Sequence, residues 1–145
     1  MNISHNGIQF IKKEEGEKLT AYRDSRGILT IGTGHTGRVD NESIFPGMTI
    51  SNERSEQLLL ADIEKVEEAI NEKVKVSLTQ NQYDALCSLV FNIGIQAFND
   101  STCLRKLNQK DYQGSAEAML LWKRAGQHTE ALLSRRMREM KLFIS

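Results

Sequence analysis

Apolar positions recur along this chain with two periods. Past residue 51 the period is helical. Leu59, Ile63, Val66 and Ile70 fall at offsets of 0, 4, 7 and 11, one face of a helix of about twenty residues beginning after Ser51. Thr79-Gln80-Asn81-Gln82 reads as a capping box, with Thr at the cap and Gln at the third position. It opens a helix striped by Leu86, Leu89, Val90 and Ile93, with Gly94 as its stop. Further helical stretches are predicted around 104–107 and 111–122. A last helix is predicted from about Thr129, with Leu133, Met137, Met140 and Ile144 turned inward. At the other end, Ser4 caps a predicted helix that runs to Gly16 with Ile8 and Ile11 on one face.

Between these helices the pattern changes. Gly27, Gly32, Gly34 and Gly37 surround Ile28-Leu29-Thr30-Ile31, which reads as short strands joined by turns. Asp24-Ser25-Arg26-Gly27 has turn chemistry, so residues 19–22 and 28–31 are expected to pair as a hairpin. Two strands are marginal alone, and a third near residues 37–40, or packing on helices, is needed. The expected fold is therefore α+β, in one domain over residues 1–145. A β lobe spans about 17–50, a connecting helix 51–72, and a helical lobe 1–16 with 73–145. A groove beside the connecting helix is the expected place for a ligand.

Composition narrows the classes. Among 145 residues the charges cancel to zero, which argues against a nucleic-acid binder, and 39% hydrophobic with 26% charged residues is globular. The longest apolar runs, such as Leu58-Leu59-Leu60-Ala61, fall far below the roughly 18 residues a membrane span needs. The first residues lack a basic stretch followed by an apolar one, so synthesis in the cytoplasm is expected. Cys87 and Cys103 make no disulfide framework and are expected to be buried free thiols. The zero is uneven: residues 52–72 carry −5 and residues 123–145 carry +4. That tail suggests a local positive face near the groove, through which salt would tune activity.

The candidate chemistry is acidic. His5, His35 and His128 are too dispersed for a metal site, and neither a Gly-x-Ser-x-Gly elbow nor a phosphate loop is present. Glu14 and Glu15 sit in the last turn of the first helix. There the helix dipole disfavours negative charge by about 0.3–1 kcal/mol and so favours a protonated acid. Two readings are open, solvated helix-end charges or a general acid. The hairpin carries Asp24 and Thr30 back toward Glu15. A carboxylic acid facing a carboxylate and a hydroxyl is the equipment of a glycoside hydrolase.

The longer string is more specific. Glu15-Gly16, Asp24, Thr30 and Gly32-Thr33-Gly34-His35, with their spacing, resemble the active-site signature of phage-type lysozymes, glycoside hydrolase family 24, which includes phage endolysins. Asn81-Gln82-Tyr83-Asp84-Ala85-Leu86, Phe91-Asn92-Ile93-Gly94, Trp122 and Arg135-Arg136-x-Arg138-Glu139 resemble the family's helical lobe. The resemblance implies a lysozyme-like fold with a cleft between its lobes. It implies Glu15 as general acid, Asp24 as second carboxylate, and Thr30 as the residue that helps place the water. It also implies a His35–Asp62 tie between the lobes and an Arg135 that orients Glu15. A nearby arginine favours the ionised acid while burial at a helix end favours the neutral one. Phe91 and Ser101 align with sugar-contact positions, but Phe91 also reads as core and Ser101 as a helix cap. Trp122 reads as a core residue or a sugar platform. Thr36 and Ala116 depart from the pattern of relatives.

The implied activity is that of a muramidase, cleaving the β-1,4 bond between N-acetylmuramic acid and N-acetylglucosamine in peptidoglycan, with inversion. Inversion places the carboxyl groups about 6.5–9.5 Å apart. No metal or cofactor is implied. A monomer is expected, released from the host cytoplasm to the wall by a separate holin. Two other classes stay open at this level: a lysozyme-like module that binds glycan without cutting it, and a helical partner-binding protein.

Overall fold

The structure, a computed structural model of the chain, describes residues 1–123 and 129–145, with backbone alone at Thr129 and Glu130. His128 lies outside the described residues. Helix α1 (His5–Glu15) begins where the Ser4 hydroxyl accepts from the Gly7 amide and ends at Gly16, whose φ is 71°. That left-handed value suits glycine and turns the chain directly into the sheet.

Strands β1 (Lys18–Arg23) and β2 (Leu29–Gly32) form the expected antiparallel hairpin, with Tyr22 opposite Thr30. The third strand differs from expectation. β3 (Arg38–Val39) forms within residues 37–40 but pairs with β4 (Glu42–Ser43) in a ladder of its own. Asp40 and Asn41 both take positive φ, 52° and 66°, which folds the chain straight back in a two-residue turn. The open edge of β1 is met instead by residues 48–50. The Ala21 amide donates to the Met48 carbonyl at 2.8 Å and the Ile50 amide to the Leu19 carbonyl at 2.9 Å. Ile31, Val39, Ile44, Met48 and Leu58 make a small core beneath these strands.

Helix α2 (Asn52–Lys73) begins after Ser51, as expected, is capped by the Ser51 side chain and carries Leu58 into that small core. Helix α3 (Gln80–Ile93) shows both halves of the predicted capping box. It is central rather than amphipathic: residues 83–90 are all buried, the polar Asp84 and Ser88 included. Helices on several sides leave it no solvent face, so the apolar stripe understated its burial. Gly94 ends α3 and opens α4 (Ile95–Asn99), a turn the apolar pattern did not show. Helices α5 (Thr102–Asn108) and α6 (Tyr112–Ala118), with a 3-10 turn at Met119–Leu121, fill the next two stretches.

Helix α7 (Thr129–Ile144) corrects its predicted orientation in part: Met140 packs on the helical core as expected, but two of the other positions do not. Met137 and Ile144 are each 58% exposed, while Arg135, Arg136, Glu139 and Phe143 face inward. Burying charge is costly unless it is paired, and these charges are paired with one another. Cys87 and Cys103 are free and buried; burial pushes both thiols up, that of Cys103 to about 11. Among the described residues, no helix is long and apolar enough to cross a membrane.

Candidate active site

Glu15 is the last residue of α1, and its side chain is 16% exposed. Its Oε2 accepts from Nη1 of Arg135 on α7 at 2.5 Å. The neighbouring Glu14 is held bidentately by Arg138 at 2.5 and 2.7 Å. The two acids at the disfavoured helix end are therefore stabilised by two arginines one turn apart on α7. Gly34 sets the other boundary. A Cβ built there stands 2.5 Å from Oε1 of Glu15, and its φ is +66°. Glycine is required both for the backbone and for the space the acid occupies.

Asp24 sits at the start of the β1–β2 turn. Its Oδ1 accepts from the amides of Arg26 at 2.8 Å and Ile28 at 2.9 Å. These bonds fix the carboxylate in an Asx turn and leave Oδ2 without a protein partner among the described residues. Thr30 is buried, and its hydroxyl donates to the Ile28 carbonyl at 2.9 Å. Glu15, Asp24 and Thr30 line one cavity of about 300 Å³ together with Tyr22, Gly34 and Phe91. Burial raises the Tyr22 phenol above its ordinary value, and the charges of Glu15 and Asp24 raise it further. Both carboxylates thus act on one ring within one cleft.

His35 and Asp62 meet as expected, Nδ1 to Oδ2 at 2.7 Å. Nε2 lies 2.9 Å from the Arg38 carbonyl. A carbonyl and a carboxylate only accept, so the doubly protonated ring satisfies both bonds. The Asp62 hydrogen bond accordingly raises His35 above its ordinary 6.5, against burial, which lowers it. This pair ties the Gly-x-Gly-His turn to α2, outside the cavity that holds the acids.

The remaining expectations separate. Phe91 is half-buried at the cleft, beside Gly34 and Thr36. Ser101 is buried and caps α5, donating to the Phe98 carbonyl at 2.7 Å and accepting from the Leu104 amide at 3.1 Å. Its hydrogen bonds match the capping reading, and it does not line the cavities that hold Glu15. Ala116 is fully buried. Trp122 packs on the helical core and also lines a second cavity, about 280 Å³, with Glu15, Asp24 and Arg136. Unforeseen from sequence are Tyr22, Arg26 and Asn92 in the cleft. Arg136, Glu139 and Ser88 beneath Arg135 were also unforeseen. The spacing of Arg135, Arg136 and Glu139 was the available signal, since i,i+3 and i,i+4 neighbours share a helix face.

Comparison with known proteins bears on the family and the fold. The family model for phage lysozyme matches residues 12–139. An endolysin of Salmonella phage P22 is 60% identical over 145 residues, covering 100% of this chain and 99% of that protein. The crystal structure of a P22 lysozyme mutant superposes with a TM-score of 0.84 at 59% identity, covering 100% of this chain and 99% of that one. The muramidase domain of SpmX from Asticaccaulis excentricus gives a TM-score of 0.86 at 36% identity, covering 99% and 98%. The chain belongs to the phage lysozyme family.

Proposed function

We propose that this chain is an endolysin muramidase, hydrolysing the β-1,4 bond between N-acetylmuramic acid and N-acetylglucosamine in bacterial peptidoglycan to lyse the host cell. The observation that carries the residue roles is the single cavity in which Glu15, backed by Arg135, shares its walls with Asp24 and Thr30. Glu15 gives its proton to the glycosidic oxygen as the bond from that oxygen to C1 breaks. A water on the opposite face of the ring attacks C1. The Thr30 hydroxyl hydrogen is committed to the Ile28 carbonyl, so its oxygen accepts one hydrogen of that water. Oδ2 of Asp24 takes the water's other proton. The Glu15 carboxylate left behind is neutralised by Arg135 until it is reprotonated. Phe91, half-buried beside this cavity, offers its ring to a sugar.

Inversion follows from the family resemblance, and the product tests it. Proton NMR of freshly cleaved glycan should show the α anomer first; the β anomer first would make Asp24 a nucleophile instead. The working division is a β lobe at 17–50, a connecting helix at 51–72 and a helical lobe from the remainder. The enzyme acts as a monomer, waits in the host cytoplasm, and reaches the wall when a holin opens the membrane. Support for that route is the lack of a membrane-crossing helix among the described residues. Cells expressing this chain alone should stay intact until their membrane is permeabilised, and early spontaneous lysis would contradict the route.

A further inference from the structure

Behind the acid lies a set of charges with almost no solvent. Arg136 and Glu139 have side-chain exposures of 0%, and Arg135 has 7%. Arg135 is divided between two carboxylates. Its Nη1 donates to Glu15, its Nε donates to Oε2 of Glu139 at 3.1 Å, and its Nη2 donates to the Ser88 carbonyl at 3.2 Å. Glu139 also accepts from the Ser88 hydroxyl at 2.5 Å and from Nη2 of Arg136 at 3.2 Å. Oε1 of Glu139 and Nε of Arg136 are 2.6 Å apart but off the hydrogen-bonding line.

We propose that Glu139 is a positioning residue for the reaction: by sharing the Arg135 guanidinium, it keeps that arginine from holding Glu15 permanently ionised, while its grip fixes where Glu15 sits. The inference rests on reading Glu15 as the general acid.

Charge balance gives Glu139 this role. With Glu15 ionised, two guanidinium groups face two carboxylates. A general acid must spend part of its cycle protonated, and then Glu139 is the only carboxylate left in contact with Arg135 and Arg136 among the described residues. The other charged and titratable groups nearby do not replace it. Glu14 is engaged by Arg138. Asp24 and Tyr22 lie on the β lobe side of the cleft. Cys103 of α5 is kept protonated by burial, with the Glu139 charge adding to the effect. Burial alone would lower Arg135, yet the charges of Glu15 and Glu139 hold it above its ordinary value. Remove the charge of Glu139 and Glu15 becomes, among the described residues, the sole carboxylate partner of Arg135, which favours its ionised, inactive form.

Glu139→Gln keeps shape and removes that charge. In wall-lysis rates measured against pH, the alkaline limb of the profile should move down by about one pH unit, with most activity kept on the acid side. Glu139→Asp, which keeps the charge, should restore the limb toward its wild-type position. Uniform loss at every pH with the limb unmoved would reduce Glu139 to a structural role and overturn the proposal. If Glu139→Gln does not fold, carboxyl-carbon NMR of the unaltered protein decides. Glu139 must stay ionised across the pH range in which Glu15 takes up its proton, and protonation of Glu139 before Glu15 as pH falls contradicts the proposal. Glu15→Gln separates the two levels. Full lysis by that variant sinks the assignment of the acid itself. An inactive Glu15→Gln with an unmoved limb in Glu139→Gln sinks only this inference.

Discussion

At Gly34 the absence of a side chain sets where the acid can sit. Alanine there would meet Oε1 of Glu15 at 2.5 Å and force a non-glycine residue to φ +66°. The backbone cost is about 1–2 kcal/mol, and a displacement of the acid near 1 Å costs about 10²-fold in rate. We expect Gly34→Ala to fold with a modestly lowered melting temperature and to lose lytic rate on that scale. Normal lysis by a folded Gly34→Ala protein would show that Glu15 does not need its present position. The contiguous segment 15–35 made the acid, the second carboxylate and the hydroxyl readable from sequence, because a helix end and one hairpin bring them together locally. The Ser88–Glu139 contact joins residues 51 apart in the chain. Such pairings carry no local spacing, and Glu139 drew no role from the sequence.

The elements stand on caps and ties that differ in legibility. The capping box on α3 was written in Thr79 and Gln82, and both of its bonds form. Thr79→Ala should cost about 1 kcal/mol, seen as a lower melting temperature with unchanged lysis at low temperature. The tie from the His35 turn to α2 titrates. His35 is raised above 6.5 in the folded protein, so the folded state binds the proton more tightly than the unfolded chain does. The stabilisation is complete below about pH 6.5 and is lost as pH rises through the raised folded value. His35→Asn should lose about 2 kcal/mol at pH 5, and the gap to wild type should narrow in alkaline melts. A gap constant across that range would mean the ring is neutral in the fold. Helix α7 was the least legible. Apolar periodicity pointed Leu133, Met137, Met140 and Ile144 inward; Met140 does pack on the core, but Met137 and Ile144 are exposed, because the buried face is shared between Phe143 and an ion network that hydrophobicity cannot register. Helix α4 escaped because Gly94 serves as both stop and start.

On the scale of the whole molecule, zero net charge conceals an internal pairing. Of the six basic residues in 123–145, Arg135, Arg136 and Arg138 face Glu15, Glu139 and Glu14. Arg135 and Arg136 are buried, whereas Arg138 is half-exposed and Lys123 and Lys141 stay exposed, so part of the positive charge expected on that segment is paired with α1 and part still faces solvent. The same pairing sets the acid against the cleft wall, opposite a hairpin with its own small core. That arrangement rests on Glu15 being the proton donor, and Glu15→Gln tests it most directly. Permeabilised bacteria are followed by turbidity and the products by new reducing ends, with the fold checked by thermal melting. We expect a folded variant whose rate falls by about 10²–10⁴. A folded Glu15→Gln protein that clears cells and releases reducing ends at the normal rate would contradict the account.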